Sequence, residues 1–293
     1  MPRPGVAHGT AGKKHEKTRM ISFKALIENT AFQPDVRSEH GFSLLINTGP
    51  EKIVFDTGQS DGFIHNADIF ESGLQDVHDV VISHGHYDHS GGLVPLLKRY
   101  PHIRVHVKKE ALVPKYSDAY KSLRQVNKPL VEAYSLFPAN FHFAEKNFML
   151  KENVMIVTET GVFNKYENDD LHLTWKPADK NIKDTFEDEL FIILLEEEKM
   201  HIVTGCAHRG IINTIHTAMN LFPEKKIGSV IGGFHLKNKP AERIGLVSRD
   251  LNQLDISSLF ICHCTGIDEY AILKSTFNGT SQYLSTGILH KLK

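Results

Sequence analysis

Four side chains of the kinds that bind metal ions lie within six residues of the chain. His84, His86, Asp88 and His89 follow the apolar run Val80–Ile82, which is short enough to be a buried strand. In an extended or looped backbone, residues two positions apart point the same way, so His84 and His86 can bind one cation and Asp88 and His89 can face a second. Imidazole and carboxylate together suit zinc, iron or manganese better than calcium or magnesium. The spacing therefore predicts a metal site directly after this strand.

The density of the cluster, rather than the presence of histidine, gives this motif its weight. The chain contains 18 histidines in 293 residues, so a single histidine says little. Asp56, at the end of the strand-like segment KIVFDTG, is well placed to accept a hydrogen bond from a metal-binding histidine. On its own, an aspartate at a strand end more often caps the next turn. Beside the histidine motif, we expect the orienting role.

Two further histidines end apolar segments near the carboxyl terminus. His235 closes IGSVIGGFHL and His263 lies in SSLFICHC, with a predicted helix over 241–254 between them. This β-α-β order predicts neighbouring parallel strands, whose carboxyl ends face one crevice. Strand alternation predicts that Cys262 and Cys264 point away from His263 and are structural.

These segments together resemble a known family. HGHYDHSGGL resembles the H-x-H-x-D-H signature of the metallo-β-lactamase-fold superfamily, and the resemblance extends to Asp56 in IVFDTG and His263 in ICHCTG. The set TGCAHRGI, GGFHL and CHCTG resembles one branch, that of the 7,8-dihydropterin-6-methyl-4-(β-D-ribofuranosyl)aminobenzene 5′-phosphate synthases. Element order alone supports an α/β domain with more than one sheet. The resemblance implies the αβ/βα sandwich of two mixed sheets flanked by helices.

The chain departs from the superfamily pattern at one ligand position. Where the superfamily usually has an aspartate that bridges two metals, this sequence has Cys206, and no histidine occurs in 173–200 to supply another usual ligand. His208 is therefore the candidate replacement ligand, and Cys206 is expected beside the ligands. His235 matches the narrower branch only, so we expect it to act catalytically on the substrate or beside the ligands.

The resemblance implies a dinuclear metal site and a hydrolytic reaction. Two divalent cations, zinc by preference and iron or manganese as alternatives, would be held by two ligand sets: His84, His86 and His208, and Asp88, His89 and His263. A metal lowers the pKa of bound water towards 7. The resulting hydroxide would attack an ester, lactone or phosphoester-type small molecule, with Asp88 orienting it or passing its proton to the leaving group.

Two other functions stay open. In the narrower branch, the metals would neutralise a departing diphosphate while a dihydropterin methyl diphosphate condenses with an aryl-ribose phosphate, which makes the protein a transferase. The second alternative is a non-catalytic metal-dependent sensor or binding protein. The complete ligand set argues against the latter.

The predicted domain organisation is a leader followed by one domain. Residues 1–19 lack apolar periodicity and are expected to be a disordered leader, or to precede a natural start at Met20. Residues 20–293 form the metallo-β-lactamase-fold domain, with an insertion at about 108–150 whose aromatic and basic residues suit a lid, a substrate loop or a small peripheral subdomain. Helices are also predicted over 62–74, 211–221 and 267–277, and the last strand is predicted over 282–289.

An acidic segment before a predicted buried strand supplies two weaker site candidates. Asp184, Glu187 and Asp188 are expected in part on a solvated loop. Glu189 immediately precedes the strand and could contact a metal or a substrate group. Lys176, beside the sole tryptophan, is the other candidate for substrate binding.

Composition sets the broad class. The formal charge of −1 argues against a nucleic-acid binder. No apolar run approaches the roughly 20 residues needed to cross a bilayer. Three cysteines make no disulfide framework, which fits a reducing, cytoplasmic setting. The expected partner is a small molecule, possibly phosphorylated.

Overall fold

The computed structural model describes residues 20–117, 123–167, 173–175 and 182–292, and these residues build three sheets. Residues 1–19, which the sequence predicts to be a leader, and Lys176 lie outside the described residues. Strands are numbered along the chain. The first sheet has seven strands in the spatial order β18 (Leu289–Lys291), β1 (Ser22–Ile27), β2 (Ser43–Asn47), β3 (Lys52–Phe55), β4 (Asp79–Val81), β5 (Arg104–Val107) and β8 (Phe141–Phe143).

The second sheet is also seven-stranded, and the third is small. The second runs in the order β17 (Thr280–Tyr283), β16 (Ile256–Ile261), β15 (Lys226–Gly232), β14 (Lys199–Thr204), β13 (Phe191–Leu195), β10 (Val154–Val157) and β9 (Phe148–Lys151). The third contains β12 (Ile182–Lys183), β11 (Leu173–Trp175), β6 (Lys115–Ser117) and β7 (Arg124–Gln125).

Seven α-helices accompany these strands in the part of the chain that the structure describes. They are α1 (Gly62–Ile69), α2 (Tyr87–Ser90), α3 (Leu93–Arg99), α4 (Lys128–Leu136), α5 (Ile211–Leu221), α6 (Ala241–Gln253) and α7 (Ile267–Thr276). None of the described helices is long and apolar enough to cross a membrane.

The two large sheets pack face to face, and helices cover their outer faces. Along β3, Ile53 and Phe55 enter the cluster between the sheets, whereas Val54 enters the cluster under α1 and α3. Along β13, Ile192 points into the inter-sheet core and Ile193 packs with α5 and α6. Because successive strand residues face opposite sides, strands buried on both faces must be continuously apolar. The result is the predicted αβ/βα sandwich of two mixed sheets.

The range 108–150 contributes to all three sheets. Its β6 and β7 lie in the small sheet, β8 extends the first sheet beside β5, and β9 begins at Phe148 beside β10. Helix α4 packs near α3 and α2. The role of residues 108–150 as a lid, a substrate loop or a small peripheral subdomain stays a prediction.

The predicted last strand over 282–289 is wrong. The chain instead leaves the second sheet after Tyr283 and joins the first sheet at Leu289, where β18 pairs with β1. Between them, Gly287 has φ 91°, a left-handed conformation that ends an extended run. The sequence over 282–289 resembles one continuous strand, although the chain passes from the second sheet to the first within it.

Candidate metal centre

The predicted metal ligands, together with Asp56 and His235, lie at the carboxyl ends of parallel strands from both large sheets. Strands β3 and β4 are parallel, and so are β14, β15 and β16. Asp56 follows β3, the histidine motif follows β4, and His208, His235 and His263 follow β14, β15 and β16. In open α/β sheets this edge is the usual place for a binding crevice.

The backbone at these strand ends is unusual. Asp56, Ala207, His235 and His263 all have positive φ, at 60°, 55°, 48° and 53°. Residues other than glycine rarely adopt this conformation, and those that do concentrate at functional sites. All four of these turns lie beside the candidate ligands, which supports a functional role for this edge.

The loop after β3 and the histidine motif are held together closely. The backbone N–H of Thr57 donates to the carbonyl oxygen of His89 at 2.7 Å, and the N–H of Gly91 donates to that of Gly58 at 2.9 Å. A Cβ at Gly91 would lie 2.3 Å from the Gln59 carbonyl oxygen. The glycine after the motif therefore permits the contact that brings Asp56 to the histidines.

His84, His86 and His208 form the first candidate ligand group. Their ligand atoms lie within 4.8 Å of one another, and all three side chains are buried. Among the residues that the structure describes, the buried Nε2 atoms of His84 and His86 have no hydrogen-bond partner. Burial lowers the pKa of His84 well below its usual value and that of His86 to about 4, so both rings are neutral at pH 7. Neutral, unpartnered imidazole nitrogens fit a divalent cation.

Asp88, His89 and His263 lie together beside the first group. His89 Nε2 is 3.1 Å from His263 Nε2, and Asp88 Oδ2 is 3.3 Å from His263 Nε2. Burial alone would raise the pKa of Asp88, but His89 and His263 hold it well below its usual value. An ionised carboxylate and two imidazoles at this spacing are a suitable donor set for a second cation.

Asp56 lies where the sequence predicts an orienting carboxylate. Its Oδ2 is 2.7 Å from His89 Nδ1, and its Oδ1 accepts a hydrogen bond from the Ser83 backbone N–H at 2.7 Å. Burial favours the neutral ring, yet Asp56 and Asp88 outweigh it and raise the pKa of His89 to about 9. This contact directs Nε2 of His89 towards the ligand groups.

Cys206 lies between the two ligand groups. Its Sγ is 3.1 Å from His89 Nε2. The sulfur also lies within 4.8 Å of potential ligand atoms in three pairs of residues, close enough to share an ion with each pair. These pairs are His84 and His89, His208 and His235, and His263 and Cys264. The sequence predicts a place beside the ligands, and the structure puts the thiol among the ligand atoms themselves.

The predicted orientation of Cys264 is wrong. His263–Thr265 is a short 3₁₀ turn, so strand alternation ends before it. The Cys264 thiol faces the site, with Sγ 3.6 Å from the Cys206 carbonyl oxygen, whereas Cys262 points into the core between the sheets as expected. The local backbone turn, which alternation ignores, decides the direction.

The remaining site candidates differ in position. The ring of His235 lies 4.2 Å from that of His208 at the edge of the ligand groups. Both oxygens of the buried Glu189 carboxylate accept backbone N–H bonds, from His208 at 2.7 Å and Arg209 at 2.9 Å. Burial raises the pKa of Glu189 to about 7. This geometry favours a role in positioning the His208 turn over the predicted substrate contact.

Several residues at the site were not identified from sequence. His40, with an exposed side chain, lies 3.2 Å from Asp88 Oδ2, and its ring stacks on His263 at 5.1 Å. Phe186 stacks on His208 with ring centroids 4.2 Å apart and an interplanar angle of 4°. No local pattern around either residue indicates this. The expectation of a solvated acidic loop is wrong for Asp184 and Asp188, which are both buried, and Asp188 accepts a hydrogen bond from the Gly85 N–H. Only Glu187 is exposed as expected.

Comparison with known proteins agrees with this fold and site. The family model for the metallo-beta-lactamase superfamily matches residues 37–211. A crystal structure described as a metal-dependent hydrolase of the beta-lactamase superfamily superposes with a TM-score of 0.80 at 30% identity, covering 93% of this chain and 99% of that one. In Methanocaldococcus jannaschii, the 7,8-dihydropterin-6-methyl-4-(beta-D-ribofuranosyl)-aminobenzene-5′-phosphate synthase is 24% identical over 274 residues, covering 87% of this chain and 90% of that protein. An uncharacterised protein of the same organism is 28% identical over 246 residues, 83% of this chain and 90% of that protein. The chain therefore belongs to the metallo-beta-lactamase superfamily.

Proposed function

We propose that this protein is a metal-dependent hydrolase of an ester, lactone or phosphoester-type small molecule. The observation that carries the proposal is the pair of adjoining donor groups at one sheet edge, in which the buried Nε2 atoms of His84 and His86 have no hydrogen-bond partner among the described residues. Buried polar atoms are otherwise nearly always paired, so unpaired imidazole nitrogens within a cluster of metal-binding side chains fit a bound ion. The hydrolase description of the structure with 30% identity supports this reaction class.

In this proposal the chain binds two divalent cations. His84, His86 and His208 would hold one, and Asp88, His89 and His263 would hold the other, with Asp56 orienting His89. Imidazole, carboxylate and the adjacent Cys206 thiol favour zinc, with iron or manganese as alternatives. Such cations polarise a carbonyl or phosphoryl oxygen and activate water at neutral pH. Asp88 would orient the attacking water, or accept its proton and pass that proton to the leaving group, and His235 would contact the substrate from the rim.

The second candidate function is a pterin-type transferase. The synthase relative, similar over 87% of this chain, favours it. A transferase would join a dihydropterin methyl diphosphate to an aryl-ribose phosphate and release diphosphate, without consuming water. The same two donor groups would then hold cations against the phosphate oxygens.

One set of measurements separates these functions. We would measure metal content by elemental analysis, then hydrolysis of generic phosphodiesters and lactones, for wild type and His86→Ala. The hydrolase proposal expects about two ions per chain and activity that the variant loses. Full activity in His86→Ala would refute it. Diphosphate release only with both pterin and aryl substrates would establish the transferase, and metal binding without either reaction would indicate a sensor. The three cysteines, all reduced, fit the cytoplasmic location that we also propose.

A further inference from the structure

A buried lysine lies between two buried carboxylates next to the metal centre. Lys115 Nζ is 2.8 Å from Asp184 Oδ2 and 2.5 Å from Asp188 Oδ1, and the three residues are 4%, 3% and 1% exposed. Burial disfavours the ammonium, but Asp188 and Asp184 outweigh it and raise the pKa of Lys115. Lys115 opens β6 of the small sheet, so this cluster ties that sheet to the segment that precedes β13.

Asp188 connects the cluster to the histidine motif. Its second oxygen, Oδ2, accepts a hydrogen bond from the backbone N–H of Gly85 at 2.9 Å. Gly85 is the residue between His84 and His86. A Cβ there would lie 2.8 Å from the Ala111 carbonyl oxygen, so the segment before β6 also packs directly on this turn. The turn that sets the spacing of His84 and His86 is thus held from the small sheet.

Asp184 connects the same lysine to the third histidine of the group. Its Oδ1 accepts a hydrogen bond from the Phe186 backbone N–H at 2.8 Å. The Phe186 ring in turn lies flat on the His208 ring, 4.2 Å away. One ammonium therefore stabilises a contact to each side of the His84, His86 and His208 group.

A buried ion pair is by itself weak evidence of any role, because desolvation offsets much of its attraction. A second lysine, partly rather than fully buried, also pairs with two carboxylates and serves for comparison. Lys151 Nζ lies 3.0 Å from both Asp79 and Glu51. Asp79 begins β4, at the end of that strand opposite the histidine motif. Lys151 should therefore affect folding stability without affecting the metal centre.

We propose that Lys115, with Asp184 and Asp188, positions the His84, His86 and His208 group for metal binding. These are positioning residues, since none of them is one of the candidate metal ligands. The inference rests on the proposed function only in that the bound group is a divalent cation. It predicts that the cluster sets metal affinity in addition to folding stability.

The first test compares zinc affinity in Lys115→Met and Lys151→Met, measured by competition with a chromophoric chelator. Loss of groups that orient metal ligands typically weakens affinity about 10–100-fold, and we expect that range for Lys115→Met. Lys151→Met should bind zinc as wild type does, even if its unfolding midpoint falls. Equal affinities in the two variants would overturn the inference, whereas a wild type that binds no zinc would refute the proposed function instead.

The second test needs no metal and applies even if Lys115→Met does not fold. Amide hydrogen exchange at Gly85 is compared in metal-free wild type, Asp188→Asn and Asp188→Ala. The carboxamide oxygen of Asn can still accept the Gly85 N–H bond, but its NH2 group then faces the Lys115 ammonium, so protection should fall less in Asp188→Asn than in Asp188→Ala. Zinc affinity should follow the same order. Unchanged protection in Asp188→Ala would show that the cluster does not hold this turn.

Discussion

Asp56 is the residue through which the first large sheet orients the centre. One oxygen lies 2.7 Å from His89 Nδ1 and also accepts a hydrogen bond from the Ser83 hydroxyl at 2.7 Å. The other oxygen accepts a hydrogen bond from the Ser83 backbone N–H. Ser83 Oγ lies in turn 2.9 Å from His84 Nδ1. A single buried carboxylate therefore acts on a histidine of each proposed ligand set.

Replacing this carboxylate should weaken metal binding. In Asp56→Asn the neutral amide accepts from His89 less strongly, so we expect zinc affinity at pH 7 to fall about 10–100-fold. Chelator competition measures it. Asp76→Asn is the matched control, because Asp76 forms a largely exposed pair with Lys52 at 3.1 Å. Equal zinc affinity in the two variants would contradict an orienting role for Asp56.

His40 is the solvent-facing histidine beside the second ligand set. Because it contacts Asp88 and His263 from outside, we expect His40→Ala to retain its zinc but to lose about 100-fold in kcat/KM, the lower end of the range for groups that assist proton transfer. Metal analysis and steady-state kinetics on the same preparation test this. The control is His65→Ala, whose ring bonds the Asp35 carbonyl oxygen away from the site. Lost zinc in His40→Ala would assign His40 to the ligands.

At the scale of elements, β4 carries charge at one end and the metal motif at the other. Asp79, at its start, bonds His106 at 2.7 Å and Arg104 at 2.8 and 2.9 Å. Burial alone would raise the pKa of Asp79, but His106, Arg104 and Lys151 together hold it well below its usual value. This network fixes β4 beside β5.

Stability should therefore depend on pH through Asp79. Its pKa is lower in the folded state than the unfolded value of about 3.9, so its stabilisation is complete above that pH and is lost as the pH falls towards the folded pKa. Asp79→Asn should lower the free energy of unfolding by about 1.5–3 kcal/mol at pH 7. The difference in free energy of unfolding between wild type and Asp79→Asn should become smaller below about pH 4.

Urea unfolding at a series of pH values measures this difference in the free energy of unfolding. Asp68→Asn is the control, because Asp68 pairs with Arg99 at the surface and both side chains are about half exposed. Such a pair contributes about 0–1 kcal/mol. A gap between Asp79→Asn and wild type that stays constant down to pH 3 would contradict the titration argument.

Most elements were predictable because their patterns are local. Helix α5 has the predicted bounds 211–221, and α6 and α7 end one residue earlier than expected. The helix predicted over 62–74 ends at Ile69, before Gly73 adopts a left-handed conformation. Errors arose where a pattern continued across a change of partner, as it did between β17 and β18.

At the scale of the molecule, the sandwich builds the candidate metal centre from residues of both large sheets. His84 and His89 come from the first sheet, and Cys206 and His263 come from the second. A cation bound by residues of both sheets would bind the folded state only. Metal binding and folding must then be linked.

Zinc should accordingly raise the stability of the whole chain. When its free concentration is about 100 times its dissociation constant, a ligand that binds only the folded state adds about 2.7 kcal/mol to the free energy of unfolding. We expect this gain in wild type and its loss in His86→Ala, measured by urea unfolding with and without zinc. His102→Ala, whose ring bonds the Val77 carbonyl oxygen, should keep the gain. An equal gain in both variants would place the bound zinc elsewhere.

The sequence by itself determined the candidate metal motif, the strands that lead to it and, through the family resemblance that its motifs carry, the fold class. Four potential metal ligands lie within six residues, and apolar periodicity along the chain is enough to place them directly after a strand. The tertiary structure alone decided the position of His40, the direction of Cys264 and the contact between Gly85 and Asp188, which lie 103 residues apart. These contacts depend on how distant strands pack, and short-range spacing carries no information about the partner that a folded chain brings alongside.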